Sequence, residues 1–192
     1  MNVLIVVATN FEISSPYIQS KSLLITGVGM VNAAVNLTKE LMQMKYDLVI
    51  NMGIAGSFLD ELKDGEVVEV IEDSFSEVGF EDGKYFDEFS DFDLKTQYQV
   101  EGKTCLKKVR AITVNTVHGR GQSIREIVER LKPDIESMEG ASIFKVCEEF
   151  GVPCLQVRSI SNRVEKRNRK KWNLDLSIRN LNIEVEKILN SL

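Results

Sequence analysis

Two short clusters of polar residues stand where apolar runs end, and their side chains are suited to gripping and cleaving a small polar molecule. In Glu136-Ser137-Met138-Glu139-Gly140, two carboxylates lie three residues apart around a methionine. In Arg158-Ser159-Ile160-Ser161-Asn162, a guanidinium, hydroxyls and an amide follow the apolar run Val152 to Val157. Carboxylates can take protons or hold hydroxyls, and an amide both donates and accepts hydrogen bonds. Ligands of open α/β sheets sit outside the carboxyl ends of strands, so the two clusters are expected to face one pocket. Glu12 stands in the same relation to the first apolar run, Val3 to Ala8. Each has a plainer reading. Glu136 and Glu139 could be solvated acids at a helix start, where the dipole favours negative charge. Glu12 could be a loop acid, and Asn162 a turn former.

The elements that must position these residues read as alternating strands and helices. Val3 to Ala8 is a continuous β-rich apolar run, the pattern of a strand buried on both faces. Ser14 to Lys21 is short, polar and turn-like around Pro16, and Leu23 to Thr26 is a second strand. A helix opens after Gly27-Val28-Gly29 and runs through Met44, with Ala34, Leu37, Leu41 and Met44 as its apolar face. Asp47 to Met52 is a third strand, ending in Gly53-Ile54-Ala55-Gly56-Ser57-Phe58, and Gly65 to Asp73 is a fourth. Val109 to Val117 is a fifth, ending near His118, and Ile124 to Leu131 is a helix that stops before Pro133. Ile135 to Asn168 reads as strand end, helix and strand. Trp172 to Leu192 reads as a closing amphipathic helix with Leu176, Ile183 and Ile188 inward. The expected fold is a three-layer α/β/α architecture around a central, mostly parallel mixed sheet, in one domain over residues 1–192. Ser74 to Thr104, acidic and aromatic without periodicity, reads as an irregular insert leaving the sheet.

Composition narrows the classes of function. With 43% hydrophobic and 28% charged residues the chain has the make-up of a soluble globular protein. A net charge of −5 offers no basic stripe for nucleic acid. The apolar start is too short for an export signal or a membrane span, so a cytoplasmic location is expected. Cys105, Cys147 and Cys154 form no CxxC pair and read as reduced core thiols. One histidine and no Cys/His cluster make a zinc site unexpected, and no cofactor is expected. Gly27-Val28-Gly29-Met30-Val31-Asn32 invites a dinucleotide reading. It lacks the third glycine, and no acid ends the following strand. A tight turn needing positive φ, or a loop lending backbone N–H groups to a pocket, are the alternatives.

The motifs together carry a resemblance. Glu136-Ser-Met-Glu139-Gly-Ala141 and Gln156-Val-Arg158-Ser-Ile-Ser161-Asn162 resemble the nucleoside phosphorylase/nucleosidase superfamily, as do Gly27 to Val31 and Val49 to Ser57. Within it, Ile112 to Gly119 and Asn162 to Trp172 are most similar to the futalosine hydrolases of menaquinone biosynthesis. The resemblance implies hydrolysis of a ribosyl C–N bond through an oxocarbenium-like state, by a homo-oligomer whose partner is a small nucleoside. It implies Glu12 as the water-activating carboxylate, Glu139 as the ligand of the ribose hydroxyls and Met138 packing on the sugar. Arg158 would orient the water or a carboxylate. Glu136, Ser161 and Ser57 are expected to contact substrate, while His118 is either a contact to the base or a structural residue. Adenine-cleaving relatives carry Asp where Asn162 stands. An amide cannot protonate N7, but its two N–H donors match the N7 and O6 acceptors of a 6-oxopurine, which points to hypoxanthine as the leaving group. The phosphate-binding cations of the phosphorylases have no counterpart in Ala8 to Glu12 or Asn51 to Ser57. The basic loop after Asn162 is either a solvated charged loop or a partner for a substrate carboxylate. The segment from Glu12 to Leu23 is shorter than is usual for the superfamily.

Overall fold

The computed structural model describes residues 1–83, 85–89 and 91–192. Its strands are β1 (Val3–Val7), β2 (Ser22–Ile25), β3 (Leu48–Ser57), β4 (Val67–Phe75), β5 (Phe80–Asp82), β6 (Tyr85–Asp87), β7 (Gln97–Gln99), β8 (Lys107–Thr113), β9 (Ile135–Ser137) and β10 (Cys154–Arg163). Its helices are α1 (Pro16–Gln19), α2 (Met30–Gln43), α3 (Gly121–Leu131), α4 (Gly140–Phe150) and α5 (Leu174–Ser191). One mixed sheet organises them in the order β10-β4-β8-β9-β3-β1-β2, and β10 also pairs with β3. That second pairing closes β3, β10, β4, β8 and β9 into a ring. The pairs β1/β2, β1/β3, β3/β10, β4/β8 and β8/β9 are parallel, whereas β4/β10, β3/β9 and β4/β7 are antiparallel.

The alternation of side chains across the pleat divides the core into layers. Leu4, Val6, Val49 and Ile160 face α2 and α4, packing with Leu37, Leu41, Ile143 and Phe144. Ile5, Val7, Ile50, Met52, Leu155 and Val157 face the other way, onto Leu181 and Val185 of α5. The three-layer α/β/α fold expected from the alternation is the one observed. A third cluster under α3 joins Ile127 to Ile112, Val114, Phe58 and Val164.

Several local expectations need correction. Pro16 starts one turn of helix, because Ser15 caps it by accepting from Ile18 N–H and proline is pre-set for a first turn. β3 does not stop at Met52; it runs through the glycine motif to Ser57 because β10 and β9 both pair with that end. β8 ends at Thr113, short of Val117. The insert is not wholly off the sheet, since β5 and β6 form a hairpin while β7 joins β4. Met44 and Ile183 are exposed rather than inward. In α5 the buried positions are Ser177, Leu181, Asn182 and Val185. Two of those slots are polar, because Ser177 Oγ donates to Ile160 O at 2.6 Å and Asn182 is fully hydrogen-bonded. Cys147 and Cys154 are buried as expected, but Cys105 is exposed.

The strand ends are tied together by one buried carboxylate. Asp73 on β4 accepts from Thr113 Oγ1 on β8 at 2.9 Å and from Gln156 Nε2 on β10 at 3.1 Å. Thr113 Oγ1 in turn accepts from Ala141 N–H at 2.7 Å, which seats the first turn of α4. Gly140 has no room for a side chain, since a Cβ there would collide with Asp73 and Gln156. Desolvation pushes Asp73 up to about 6, against the hydrogen bonds of Gln156 and Thr113 and the nearby charge of Arg158. A folded value above the ordinary 3.8 means that the native state binds this proton more tightly. The associated stability is complete below pH of about 4 and is lost as pH rises through about 6. Relative to Asp73→Asn, the native protein should therefore lose on the order of 2–3 kcal/mol between pH 4 and pH 7. Denaturant unfolding of both proteins across that range measures it, and parallel pH curves would contradict it.

Candidate active site

A cavity of about 1160 Å³ opens over the carboxyl ends of β1, β3 and β10. Glu12, Glu136, Met138, Glu139, His118, Ser161 and Asn162 all line it. The two sequence clusters and the first strand's acid thus meet, although they come from opposite ends of the chain.

Glu12 is carried by a short 3-10 turn, Asn10–Glu12, immediately after β1. Its Oε2 accepts from Thr9 N–H at 2.9 Å and from the Thr9 hydroxyl at 3.3 Å. Its Oε1 has only a long contact, 3.4 Å, from Ile54 N–H. Burial raises its pKa above the ordinary value, partly countered by the Thr9 hydrogen bond and the Arg158 charge, with Glu139 pushing it up further. A carboxylate of raised basicity with one lightly occupied oxygen is suited to accepting a proton from water.

Arg158 does not line the cavity. It lies beneath it, 1% exposed. Its Nη2 donates to Asn51 Oδ1 at 2.5 Å and its Nη1 to Val157 O at 3.4 Å, while Nε has no partner. Desolvation lowers its pKa, and the charges of Glu139, Glu12 and Asp73 restore part of that loss. Gly53 is what lets base and guanidinium approach. A Cβ there would sit 2.9 Å from Glu12 Oε1 and 3.1 Å from Arg158 Nη1.

Glu139 is the N-cap of α4. Its Oε1 accepts from Gly29 N–H at 2.9 Å. Gly29 holds φ at 97°, a conformation that favours glycine, and so turns its amide toward the carboxylate. Of the three readings of the Gly27–Asn32 motif, a loop that lends an N–H to the pocket describes it best. No described residue donates a hydrogen bond to the other oxygen of Glu139.

Three expectations change. Ser57 is 1% exposed and outside the cavity, its hydroxyl spent on a turn with Leu59 N–H and Leu59 O, both at 3.0 Å. Glu136 lines the cavity, but its oxygens are occupied by His118, from the main-chain N–H at 3.1 Å and from Nδ1 at 2.6 Å. The carboxylate calls for an N–H at Nδ1, so a neutral His118 presents Nε2 as an acceptor. Glu136 is thus engaged by His118 as its hydrogen-bond partner. Asn162 Nδ2 donates to Arg163 O at 2.8 Å, and its Oδ1 accepts from Ser161 Oγ at 2.8 Å. The Arg163 carbonyl can only accept, which fixes the amide's orientation. Asn162 thus offers a ligand one N–H rather than two.

Sequence reasoning missed Phe11, Asn182 and the role of Gly53. Phe11 lines the cavity yet is 84% exposed, an aromatic in a polar turn with no apolar period to explain it. Asn182 left no signal beyond a polar letter on an apolar helix face. The rim carries an excess of cations, with Lys166, Arg167, Arg169, Lys171 and Arg179 lining the cavity among Asp64, Glu165 and Asp175, and Lys171 is paired with Glu165 at 2.6 Å. Among the described residues no cluster of His, Cys, Asp and Glu could hold a metal, and no helix is long and apolar enough to cross a membrane.

The chain matches the family described as the phosphorylase superfamily over residues 11–191. It is 31% identical to a 5'-methylthioadenosine/S-adenosylhomocysteine nucleosidase of Marinomonas sp. over 183 residues, 87% of this chain and 79% of that one. A futalosine hydrolase of Thermus thermophilus is 25% identical over 161 residues, 77% of this chain and 71% of that one. Among solved structures, the futalosine hydrolase of Helicobacter pylori superposes with a TM-score of 0.83 at 18% identity, covering 99% of this chain and 97% of that one. The Neisseria meningitidis nucleosidase in complex with methylthio-immucillin-A gives 0.81 at 20% identity, with 99% of each chain covered. At those identities the solved structures speak for the fold.

Gly53→Ala tests the geometry beneath the cavity. The added methyl group should part Glu12 from Arg158 and lower kcat at least tenfold, while costing about 1–3 kcal/mol of stability. Activity unchanged in the folded variant would mean that the two groups need not be close.

Proposed function

Because the chain belongs to the phosphorylase superfamily and to its nucleosidase members, we propose that it hydrolyses the N-ribosyl bond of a purine nucleoside whose base is 6-oxo, with futalosine as the substrate and hypoxanthine as the leaving group. Asn162 carries this reading. It lines the cavity with its amide pinned so that an N–H faces any ligand and no acidic proton is available. Its one remaining N–H can hold N7 of either purine, so what points away from adenine is the missing general acid, where adenine-cleaving relatives carry Asp, and not a two-donor match.

Glu12 removes a proton from water on the face opposite the leaving base, and its raised pKa strengthens it as a base. The free oxygen of Glu139 grips the ribose hydroxyls, with Met138 against the sugar. Hydrogen bonds to those hydroxyls that strengthen as the ring flattens lower the barrier. Arg158 acts from below by steadying both carboxylates. Water is the nucleophile. The turn around Glu12 and the stretch Ile54 to Gly56 put no lysine or arginine against the cavity, so a phosphate dianion would lack the partners that phosphorylases supply at those positions. The cationic rim suits the carboxylate at the far end of futalosine and would be wasted on an uncharged nucleoside.

A second reading, 5'-methylthioadenosine or S-adenosylhomocysteine cleavage, is favoured by the higher identity of the nucleosidase relatives, 31% against 25%. Release of free base from futalosine, aminofutalosine, methylthioadenosine and inosine, followed by chromatography with and without phosphate, separates the two. The expected outcome is hypoxanthine from futalosine at a phosphate-independent rate. Adenine from methylthioadenosine as the fastest product would favour the second reading, and a ribose 1-phosphate-type product would overturn hydrolysis.

Glu12→Gln and Glu139→Gln should each fold and lose about two orders of magnitude or more in kcat, the scale of a catalytic contact. A variant with near-native turnover would remove its residue from the mechanism. Asn162→Asp should lower kcat/KM on the 6-oxo substrate and raise it relatively on the 6-amino analogue, by roughly 10–200-fold for one mismatched hydrogen bond. A ratio that does not move would mean that Asn162 does not read the base.

A further inference from the structure

The short segment after Glu12 has too few residues to hold itself in place, and the structure shows what holds it. Asn182, 3% exposed in the middle of α5, uses all of its hydrogen-bonding capacity. Its Oδ1 accepts from Ser14 N–H at 3.0 Å and from Ser15 N–H at 3.1 Å. Its Nδ2 donates to Glu12 O at 2.9 Å and to Ile178 O at 2.7 Å. One turn further along α5, Glu186 accepts from the Ser15 hydroxyl, whose oxygen also caps α1 by accepting from Ile18 N–H at 3.2 Å. Three main-chain groups, at residues 12, 14 and 15, are therefore anchored to one side chain on a helix that packs on β3 and β10.

We infer that Asn182 is a positioning residue for the reaction: by clamping the main chain at Glu12, Ser14 and Ser15 it fixes where the Glu12 carboxylate meets the substrate. This rests on the reading of Glu12 as the base. A loop acid on a tether of this length would otherwise sample many positions, and a displacement of about 1 Å at a reacting group can cost on the order of a hundredfold in rate. The clamp acts on main-chain atoms, so it sets the origin of the Glu12 side chain without touching the ligand. Phe11, on the clamped turn, is 84% exposed where it lines the cavity. Glu12 is faced by Arg158 from β10 and by Glu139 from the start of α4. Neither contacts Asn182, so loosening the turn changes the burial and orientation of Glu12 and leaves those charges in place.

The experiment is a double-mutant cycle on kcat and on its pH dependence, using Asn182→Ala, Glu12→Gln, the double variant and Asn180→Ala. Asn180 lies on the same helix and donates to Gly65 O at 2.8 Å, remote from the Glu12 turn. Asn182→Ala is expected to lower kcat about 10–100-fold with KM changed less than about threefold, and to move the acid limb of kcat/KM toward the ordinary carboxylate range as Glu12 gains water. On the Glu12→Gln background the same change should cost less than about threefold, because the residue acts through Glu12. Asn180→Ala should lower the melting temperature without moving the acid limb. Should Asn182→Ala not fold, Asn182→Asp keeps the shape and both acceptor bonds but loses both donors, to Glu12 O and to Ile178 O, setting an oxygen against those carbonyls, and it should show at least the same fall in kcat. A folded Asn182 variant with native kcat and an unmoved acid limb overturns the clamp, as does full additivity with Glu12→Gln. Glu12→Gln that retains turnover overturns the role of Glu12 itself, a result distinct from either.

Discussion

One buried guanidinium sets the terms for the site. Arg158 is almost without solvent, and the charges that sustain it come from Glu139, Glu12 and Asp73. Among the described residues none of the three forms a direct ion pair with it. A buried cation without compensation is costly, and here the compensation is spread over carboxylates with three different tasks. Glu12 faces the cavity in the place proposed for a base, Glu139 caps a helix and accepts from Gly29 N–H, and Asp73 holds β4, β8 and β10 together. Glu12 accordingly feels both the arginine's charge, which lowers its pKa, and that of Glu139, which raises it.

The closed ring of strands is what makes such an arrangement possible. The arginine and Asp73 project where β10 pairs with both β3 and β4, so no edge admits water to them. On the cavity side, the pairing of β10 with β3 shifts register between Ile160 and Asn162. That bulge brings Ser161 and Asn162 together at the rim, where the serine hydroxyl and the Arg163 carbonyl select the amide's orientation. Bulges often re-aim side chains beside functional sites, and here the re-aimed pair is the one that would read the base.

Much of this was legible in the sequence, for identifiable reasons. Strands buried on both faces read as unbroken apolar runs, so β1, β3 and β10 were visible, and with them the strand ends that carry Glu12 and Asn162. Glu139 stood out because its neighbours have no packing reason to be polar. The ring closure did not stand out, since β9 has three residues and no pattern of its own. Ser57 and Glu136 had the right chemistry in the right place, but their hydrogen-bonding capacity is taken by Leu59 and His118. One-dimensional spacing does not report that competition. Asn182 and Ser177 were hidden for the opposite reason: a hydrophobicity reading assigns polar residues to solvent, and these two are buried because main-chain groups elsewhere need partners. Ile183 was assigned inward by the same logic and lies outside.

The anchoring of the Glu12 turn by α5 spans 168 residues between Ser14 and Asn182. The earliest-made part of the active site is thus held by the last helix described. During synthesis the sheet can begin to pair well before residue 182 leaves the ribosome, yet the main chain at Glu12, Ser14 and Ser15 lacks its α5 anchor until it does. A nascent or truncated chain can bury much of its apolar surface while its base remains unplaced. Contacts of such sequence separation close late, because the entropy of the intervening loop must be offset first.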